Sequence, residues 1–276
     1  MRTRGAFGAL FAASRALVTG AAERWHDALA EWAIPDEILA QATQSPWEFP
    51  PGHFGAPEVP AASPSRERAL DCLAAGGSVL DVGCGGGAAA LALAPPAAHV
   101  TGVDSQASML VAFLGEARRR GVDAQAIEGS WPDAARRAPT CDVVVCHHVV
   151  YNVGDVVPFV RALTDRARRR VVLELSARHP LANLSPAWEH FWGLARPESP
   201  TAADFLAVLS EMGVSAHSNE WRRPARSPAS LAERARTARV RLCLPASRDG
   251  DVADFLSTHD GDSQRGTVTV WWDVTD

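Results

Sequence analysis

A carboxylate and four glycines fall together between Asp81 and Gly87, and their order suits the binding of a nucleotide-like ligand. Glycines at a turn between a strand and a helix let a ligand approach the backbone, because no Cβ atom stands in the way. A helix beginning at such a turn offers unpaired N–H groups and the positive end of its dipole. The segment Gly83-Cys-Gly-Gly-Gly-Ala88 also satisfies the dinucleotide-binding pattern G-x-G-x-x-G/A.

Asp81 favours a ligand with a cationic group over one with a pyrophosphate. It lies two positions before Gly83, at the carboxyl end of a predicted strand, where a carboxylate attracts an ammonium and repels a phosphate. A second acid, Asp104, follows the glycine turn by about twenty residues, the offset at which a carboxylate can bind ribose hydroxyls. The alternative role for Asp104 is to cap the following helix, and the two roles are compatible.

The segment Leu80-Asp-Val-Gly-Cys-Gly-Gly-Gly87 resembles the first motif of the class I S-adenosylmethionine (SAM)-dependent methyltransferases, and the resemblance extends over about residues 66–276. It implies a Rossmann-like fold and transfer of a methyl group from the SAM sulfonium to an acceptor. It also implies that the acid before the glycines lies near the methionine end of SAM and that Asp104 holds the ribose. The cofactor-binding residues predicted in this part of the chain are Asp81, Gly83, Cys84, Gly85, Asp104, Ser105 and Met109.

The turn after the third predicted strand departs from the family pattern. Many of these methyltransferases carry an aspartate there that binds the adenine amino group, whereas this chain has Ser130. The Ser130 hydroxyl or a backbone group could replace that contact. Trp131 either stacks on the adenine or packs as a core aromatic residue at the head of a helix, and the sequence leaves both roles open.

The fourth predicted strand is Cys141–Cys146, and the loop that follows it begins with two histidines. Because the carboxyl ends of parallel strands line the ligand crevice, this loop is predicted to face both the cofactor and the methyl acceptor. His147 is assigned to the cofactor and His148 to general base catalysis, with Tyr151 orienting the acceptor. His179 follows the fifth strand at the same rim and is a second candidate base, or else a residue that fixes the turn before Pro180.

Strand and helix patterns alternate from Ser78 onward, which predicts an α/β fold with a doubly wound, mostly parallel sheet. The resemblance implies seven strands in the order 3-2-1-4-5-7-6, the last of them antiparallel. An alanine-rich run ending at Ala94 is predicted to form the helix after the glycines. The sixth strand is predicted to begin at Val214 and the seventh to cover Thr267–Asp273.

Residues 1–65 are predicted to form a separate N-terminal segment with two helices between Arg15 and Ala42. The aromatic, proline-rich stretch that follows is either a lid over the ligand cleft or a self-packed loop, with Trp47, Phe49 and Phe54 as its apolar contacts. Residues 66–276 form the predicted SAM-binding domain, with accessory insertions at about 181–200 and 222–262.

Composition narrows the classes of function. The net charge of −5 argues against a broad nucleic-acid surface, and the short basic runs at 118–120 and 168–170 fit solvated helix ends better. The five cysteines are odd in number and form no CxxC pair, which favours a reduced, cytoplasmic protein without a metal site. No membrane span is expected, and a signal peptide is disfavoured. The sequence does not determine the oligomeric state, for which a homodimer is one option.

These patterns favour a SAM-dependent methyltransferase acting on an oxygen or nitrogen of a small-molecule acceptor. An NAD-dependent oxidoreductase remains an alternative because the glycine pattern allows it, although Asp81 disfavours it. A catalytically silent SAM-fold binding protein is a third reading, because of Ser130. Nucleic-acid methylation is the least favoured of the alternatives.

Overall fold

A seven-stranded mixed sheet organises the chain in the computed structural model, which describes residues 20–47, 62–223, 230–259 and 266–274. In chain order the strands are β1 (Gly77–Val82), β2 (Ala97–Asp104), β3 (Asp123–Glu128), β4 (Cys141–His147), β5 (Ala167–Ser176), β6 (His217–Arg222) and β7 (Gly266–Asp273). They are arranged β3-β2-β1-β4-β5-β7-β6. Strands β1 to β5 pair in parallel, and β7 is antiparallel to both β5 and β6. The predicted fold class and strand order are confirmed.

Nine α-helices accompany the strands in the described part of the chain. They are α1 (Ala21–Ala30), α2 (Asp36–Leu39), α3 (Pro64–Leu70), α4 (Ala107–Arg120), α5 (Val156–Asp165), α6 (Ser185–Trp192), α7 (Ala202–Glu211), α8 (Leu231–Arg241) and α9 (Asp249–Thr258). No helix among the described residues is long and apolar enough to cross a membrane.

The two faces of the sheet are covered by different helices. One core cluster includes Trp25 of α1, Phe159 of α5 and Phe205 of α7. The opposite cluster includes Ala69 of α3 and Phe113 of α4. The central strands β1 and β4 are therefore buried on both faces, which explains why their sequences are continuous apolar runs.

A third apolar cluster joins the accessory helices. Ile38 of α2, Trp188 of α6, Ala238 of α8 and Phe255 of α9 are all buried in it. The Trp192 indole donates a hydrogen bond to the Leu242 carbonyl at 2.7 Å, which ties α6 to the end of α8. The accessory segments thus pack on one another, and the domain boundaries drawn from the sequence remain predictions.

Two local predictions were wrong. The helix expected after the glycines is only a 3-10 turn, Leu91–Leu93. Pro95 and Pro96 follow, and prolines disfavour the helical conformation of the preceding residue and supply no N–H donor. Strand β6 begins three residues after Val214, because the Val214 N–H bonds back to Leu209 O at the end of α7.

Candidate functional site

A cavity of about 740 Å³ opens at the carboxyl ends of β1, β2, β4 and β5, within the size range of small-molecule sites. Its lining includes all the residues that the sequence assigned to the cofactor: Asp81, Gly83, Cys84, Gly85, Asp104, Ser105, Met109, Ser130, Trp131 and His147. A second group of lining residues includes Ser65, Arg66, His148, Glu174, Trp221 and Arg223. We call these the acid side and the basic side.

The glycine turn is shaped by positive φ angles. Gly83, Gly85 and Gly87 have φ of +71°, +50° and +84°, a region that side chains with a Cβ adopt rarely. A Cβ atom on Gly83 would lie 2.3 Å from Cγ2 of Val149, in the loop after β4. The Gly83 N–H also donates to Val103 O at 2.8 Å. The turn is therefore held between β2 and the histidine loop, and no room is left for a side chain.

Gly83→Ala is expected to lower the free energy of unfolding by about 2–4 kcal/mol, because it adds a steric clash to the strain of a positive φ. Chemical denaturation monitored by circular dichroism measures this. Gly76→Ala is the matched control, because Gly76 has φ of +81° and nothing within 4 Å of its added Cβ. A Gly83 variant no less stable than the Gly76 variant would contradict the close packing of the turn against Val149.

Asp81 is a buried carboxylate without a cation beside it. Its side chain is on a residue only 1% exposed, and Oδ2 accepts a hydrogen bond from the Ala90 N–H at 3.2 Å. Burial, together with the smaller effect of the nearby Asp104 charge, raises the pKa of Asp81 to about 7. No basic side chain pairs with Asp81 in the part of the chain that the structure describes. A cationic ligand group would supply the missing partner.

Asp104 fastens the glycine turn to the start of α4. One carboxylate oxygen accepts a hydrogen bond from the Gly85 N–H at 2.9 Å, and the other accepts one from the Gln106 N–H at 2.9 Å. Gln106 and not Asp104 is the N-cap residue of α4, so the predicted capping role is wrong, and Asp104 instead binds the N–H of the residue before the helix. Each carboxylate oxygen has a further lone pair, so ribose binding is compatible with these contacts and stays a prediction.

Trp131 lies between the cavity and the core. Its indole N–H donates to Phe159 O at 3.2 Å, and the ring packs against the core cluster that contains Phe159. Ser130 also lines the cavity, and its carbonyl accepts a hydrogen bond from the Ala134 N–H. Trp131 thus packs against the core and also lines the cavity, and contacts of Ser130 and Trp131 with adenine stay predictions.

His147 has a buried ring nitrogen without a partner. Among the described residues, no hydrogen-bonding group reaches its Nε2. Burial lowers the pKa of His147 to about 4, so the ring is neutral at pH 7. Unpaired polar atoms inside proteins are rare, and one that lines a cavity is a position that a bound ligand can satisfy.

His148 and Glu174 form the centre of the basic side. His148 has φ of +60°, its N–H donates to Glu174 O at 2.7 Å, and its Nε2 lies 3.0 Å from Glu174 Oε1. Arg223 donates to the same oxygen, and the Ser65 hydroxyl donates to Oε2 at 2.7 Å. Burial opposes ionisation of Glu174, but its hydrogen bond with His148 and the Arg223 charge outweigh burial and hold the pKa of Glu174 well below its usual range.

Tyr151 and His179 lie outside the cavity. The Tyr151 hydroxyl donates to Ser176 O at 2.8 Å, and its ring stacks on Trp25 with centroids 5.5 Å apart. His179 stacks on Trp32 at 3.8 Å, and burial lowers its pKa to about 4. The structure therefore does not bring these two residues to the other predicted site residues, because helix α1 and the segment after it cover that part of the sheet rim.

Sequence reasoning missed Glu174, Ser65, Arg66 and Arg223. The signal for Glu174 was present, because a charged residue interrupts the apolar run Val171-Val-Leu-Glu-Leu175 at the rim of the sheet. No pattern marked the others, whose positions depend on how α3 and β6 pack. Trp47 of the predicted lid does line the cavity, while Phe49 and Phe54 lie outside the described residues.

Comparison with known proteins gives matches to methyltransferases. Residues 79–170 match a family described as methyltransferase domain. Ubiquinone biosynthesis O-methyltransferase of Aeromonas salmonicida is 33% identical over 112 residues, which cover 40% of this chain and 47% of that protein. The protein with the same description in Rhizobium etli is 28% identical over 164 residues, which cover 52% and 66%. The chain thus spans about half the length of the first of these relatives.

Solved structures share the fold at low sequence identity. YcgJ of Bacillus subtilis superposes with a TM-score of 0.53 at 18% identity, covering 77% of this chain and 98% of that one. Coclaurine N-methyltransferase, bound to N-methylheliamine and S-adenosylhomocysteine, has a TM-score of 0.51 at 16% identity, covering 91% and 86%.

Proposed function

Since the chain belongs to the class I SAM-dependent methyltransferases, we propose that it transfers a methyl group from SAM to an oxygen or nitrogen atom of a small-molecule acceptor. The observation that carries the proposal is the pairing of a buried acid that lacks a cation, Asp81, with a tight glycine turn. A pyrophosphate would be repelled at this position, which disfavours an NAD site.

SAM supplies a methyl group that its sulfonium already activates, so the protein contributes mainly positioning. In the proposed complex, the Asp81 carboxylate forms an ion pair with the ammonium of the methionine portion of SAM. Asp104 accepts hydrogen bonds from the ribose hydroxyls. His147, neutral and unpaired, adds a further polar contact at the end of β4. The residues of the acid side therefore fit the cationic cofactor.

His148 is the group we propose to accept the proton that an oxygen or nitrogen acceptor loses. It lines the cavity on the basic side, and Glu174 holds its ring through Nε2. Histidine is the side chain that most often accepts a proton in catalysis, and the neighbouring carboxylate fixes the orientation of the His148 ring. Tyr151 and His179 are left out of this role because their contacts keep them away from the cavity.

A small-molecule acceptor is supported by the volume of the cavity, about 740 Å³, and by the names of the relatives. Nucleic acid is disfavoured, since Glu116 already pairs with Arg119 and Arg120 of the basic run on α4. All five cysteines are free, which supports a reducing compartment such as the cytoplasm.

The proposal is tested by titrating the purified protein in parallel with SAM, S-adenosylhomocysteine and NADH. We expect micromolar binding of the first two and none of NADH. Binding of NADH alone would overturn the proposal and make Asp104 a dinucleotide ligand. Binding of none of the three would favour a silent scaffold.

Asp104→Ala is expected to weaken SAM binding about 5- to 150-fold, which corresponds to about 1–3 kcal/mol for lost hydrogen bonds to a buried partner. Titration calorimetry measures it. Asp123→Ala is the matched control, because Asp123 is an exposed acid at the opposite end of the neighbouring strand β3. Equal SAM affinity in the two variants would remove Asp104 from the cofactor site.

A further inference from the structure

The two sides of the cavity carry opposite charge. The acid side holds Asp81 and Asp104, whereas the basic side holds Arg66 and Arg223 with the single acid Glu174. The acid side suits the cationic cofactor, but a neutral acceptor would leave the excess positive charge of the basic side unmatched. Resting on the proposed function, we infer that the methyl acceptor carries a carboxylate, which Arg66 and Arg223 bind.

Arg66 has donors to spare. It lies in α3, and its Nε donates to Ala92 O at 2.9 Å, which fixes the plane of the guanidinium. Within the described ranges, its two terminal nitrogens have no protein partner. A guanidinium held in this way presents parallel N–H groups that match the two oxygens of a carboxylate.

Arg223 is already oriented by a carboxylate. It follows β6 and donates through one terminal nitrogen to Oε1 of Glu174, while its side chain keeps 41% of its surface exposed. Both oxygens of Glu174 are occupied, because Ser65 donates to Oε2 and His148 also contacts Oε1. Glu174 therefore has no free oxygen left for a second cation, and the terminal nitrogens of Arg66 remain available to an acceptor carboxylate.

The walls beside these charges indicate what the carboxylate is attached to. Trp47, Leu93 and Trp221 line the cavity together with the small residue Ala69. The Trp221 indole is fixed by its hydrogen bond to Thr269 Oγ1 at 3.1 Å. Flat apolar walls of this kind favour an aromatic body. The basic side is also a local feature, since the chain as a whole has a net charge of −5. The class of acceptor inferred is a hydroxylated aromatic acid.

The test uses the full chain saturated with S-adenosylhomocysteine and titrates it with protocatechuate, caffeate and salicylate, each against its own carboxamide. We expect at least one acid to bind at least about 10-fold more tightly than its amide, the scale of one charge-assisted contact. Arg66→Gln and Arg223→Gln should each reduce that preference. Arg118→Gln, which removes an exposed arginine of α4, should leave it unchanged.

Equal binding of acids and amides, or a preference that survives both glutamine variants, would overturn the inference. So would the absence of binding by all three acids to a protein that has bound S-adenosylhomocysteine, and that result would leave the proposed function standing. Failure to bind S-adenosylhomocysteine would instead refute the proposed function. Arg223→Lys keeps the charge without the planar fork and provides a second measurement if Arg223→Gln does not fold.

Discussion

Asp81→Asn is expected to weaken SAM binding by about 3 kcal/mol or more, roughly 100-fold or more at pH 8, because it removes one partner of a buried ion pair. The side chain keeps its size and can still accept the hydrogen bond from the Ala90 N–H. The loss would therefore report the charge alone. Titration calorimetry with SAM measures it directly.

The pH dependence of binding gives the same prediction a second readout. A carboxyl with a pKa of about 7 is largely protonated at pH 5, and a cationic ligand selects its ionised form. Apparent SAM affinity of the unmodified protein should therefore fall about 50-fold between pH 7 and pH 5, because the ionised fraction falls from about one half to about one hundredth. The asparagine variant should lack this component.

The stability of the free protein should move in the opposite direction. The pKa of Asp81 is raised from 3.8 to about 7, so the folded state holds a proton that the unfolded state has lost, and stability falls as pH rises through that window. Above pH 7, keeping the buried Asp81 carboxylate ionised costs the unmodified protein about 4 kcal/mol of stability. The Asp81→Asn variant avoids this cost but loses about 1–3 kcal/mol, because its buried amide N–H₂ has no partner. Asp81→Asn should thus be more stable than the unmodified protein at pH 8.

Asp165→Asn is the control for these measurements, since Asp165 is an exposed acid at the end of α5. It should change neither SAM affinity nor its pH dependence. If Asp81→Asn bound SAM as tightly as this control did, Asp81 would have no role in cofactor binding. The main evidence that the acid side binds SAM would then be lost.

Glu174→Gln is expected to lower turnover about 10- to 100-fold with an acceptor identified by screening, below the range of about 10²–10⁴ for loss of a catalytic base itself. Glutamine removes the charge that holds His148 and Arg223. It should also cost about 2–3 kcal/mol of unfolding free energy, less than a fully buried pair because Arg223 reaches solvent. SAM affinity should be unchanged, so the effect should appear in kcat.

A double-mutant cycle needs two further variants, which are His148→Gln alone and the double variant that carries both Glu174→Gln and His148→Gln. If Glu174 acts by positioning His148, the double variant should lose no more activity than His148→Gln alone. Glu116→Gln provides the matched surface control, because Glu116 pairs with two arginines on α4 away from the cavity. Additive losses of Glu174 and His148 would show that the two residues act independently.

The strand order and the acid side could be predicted because their signals are local and linear. Asp81, the glycines and Asp104 are brought together by two adjacent parallel strands, and this geometry follows from the alternation of strand and helix. The resemblance to a known family then supplied the antiparallel ending. Two local predictions failed, because Pro95 and Pro96 stop the helix after the glycines and because Val214 is hydrogen-bonded to the end of α7 instead of beginning β6.

The basic side could not be predicted in the same way. Tyr151 and His179 lie in loops at the correct rim, yet Trp25 and Trp32 from a distant part of the chain pack over them. Conversely, Arg66 and Arg223 come from segments that no motif marks, and tertiary packing alone brings them into the lining of the same cavity. A loop at the sheet rim faces the cavity only if no other element packs over it, and the local sequence of the loop does not show this.

The hydrogen bond between Ser65 and Thr269, 2.7 Å between hydroxyl oxygens, has a consequence for the order of assembly. Ser65 precedes the first strand of the sheet, whereas Thr269 lies in β7, the last strand to be synthesised. The acid side has all its partners once the chain has passed α5, but Glu174, Ser65 and Trp221 acquire their full set of partners only when β7 has inserted between β5 and β6. A nascent chain could therefore hold its cofactor residues in place well before it could select an acceptor.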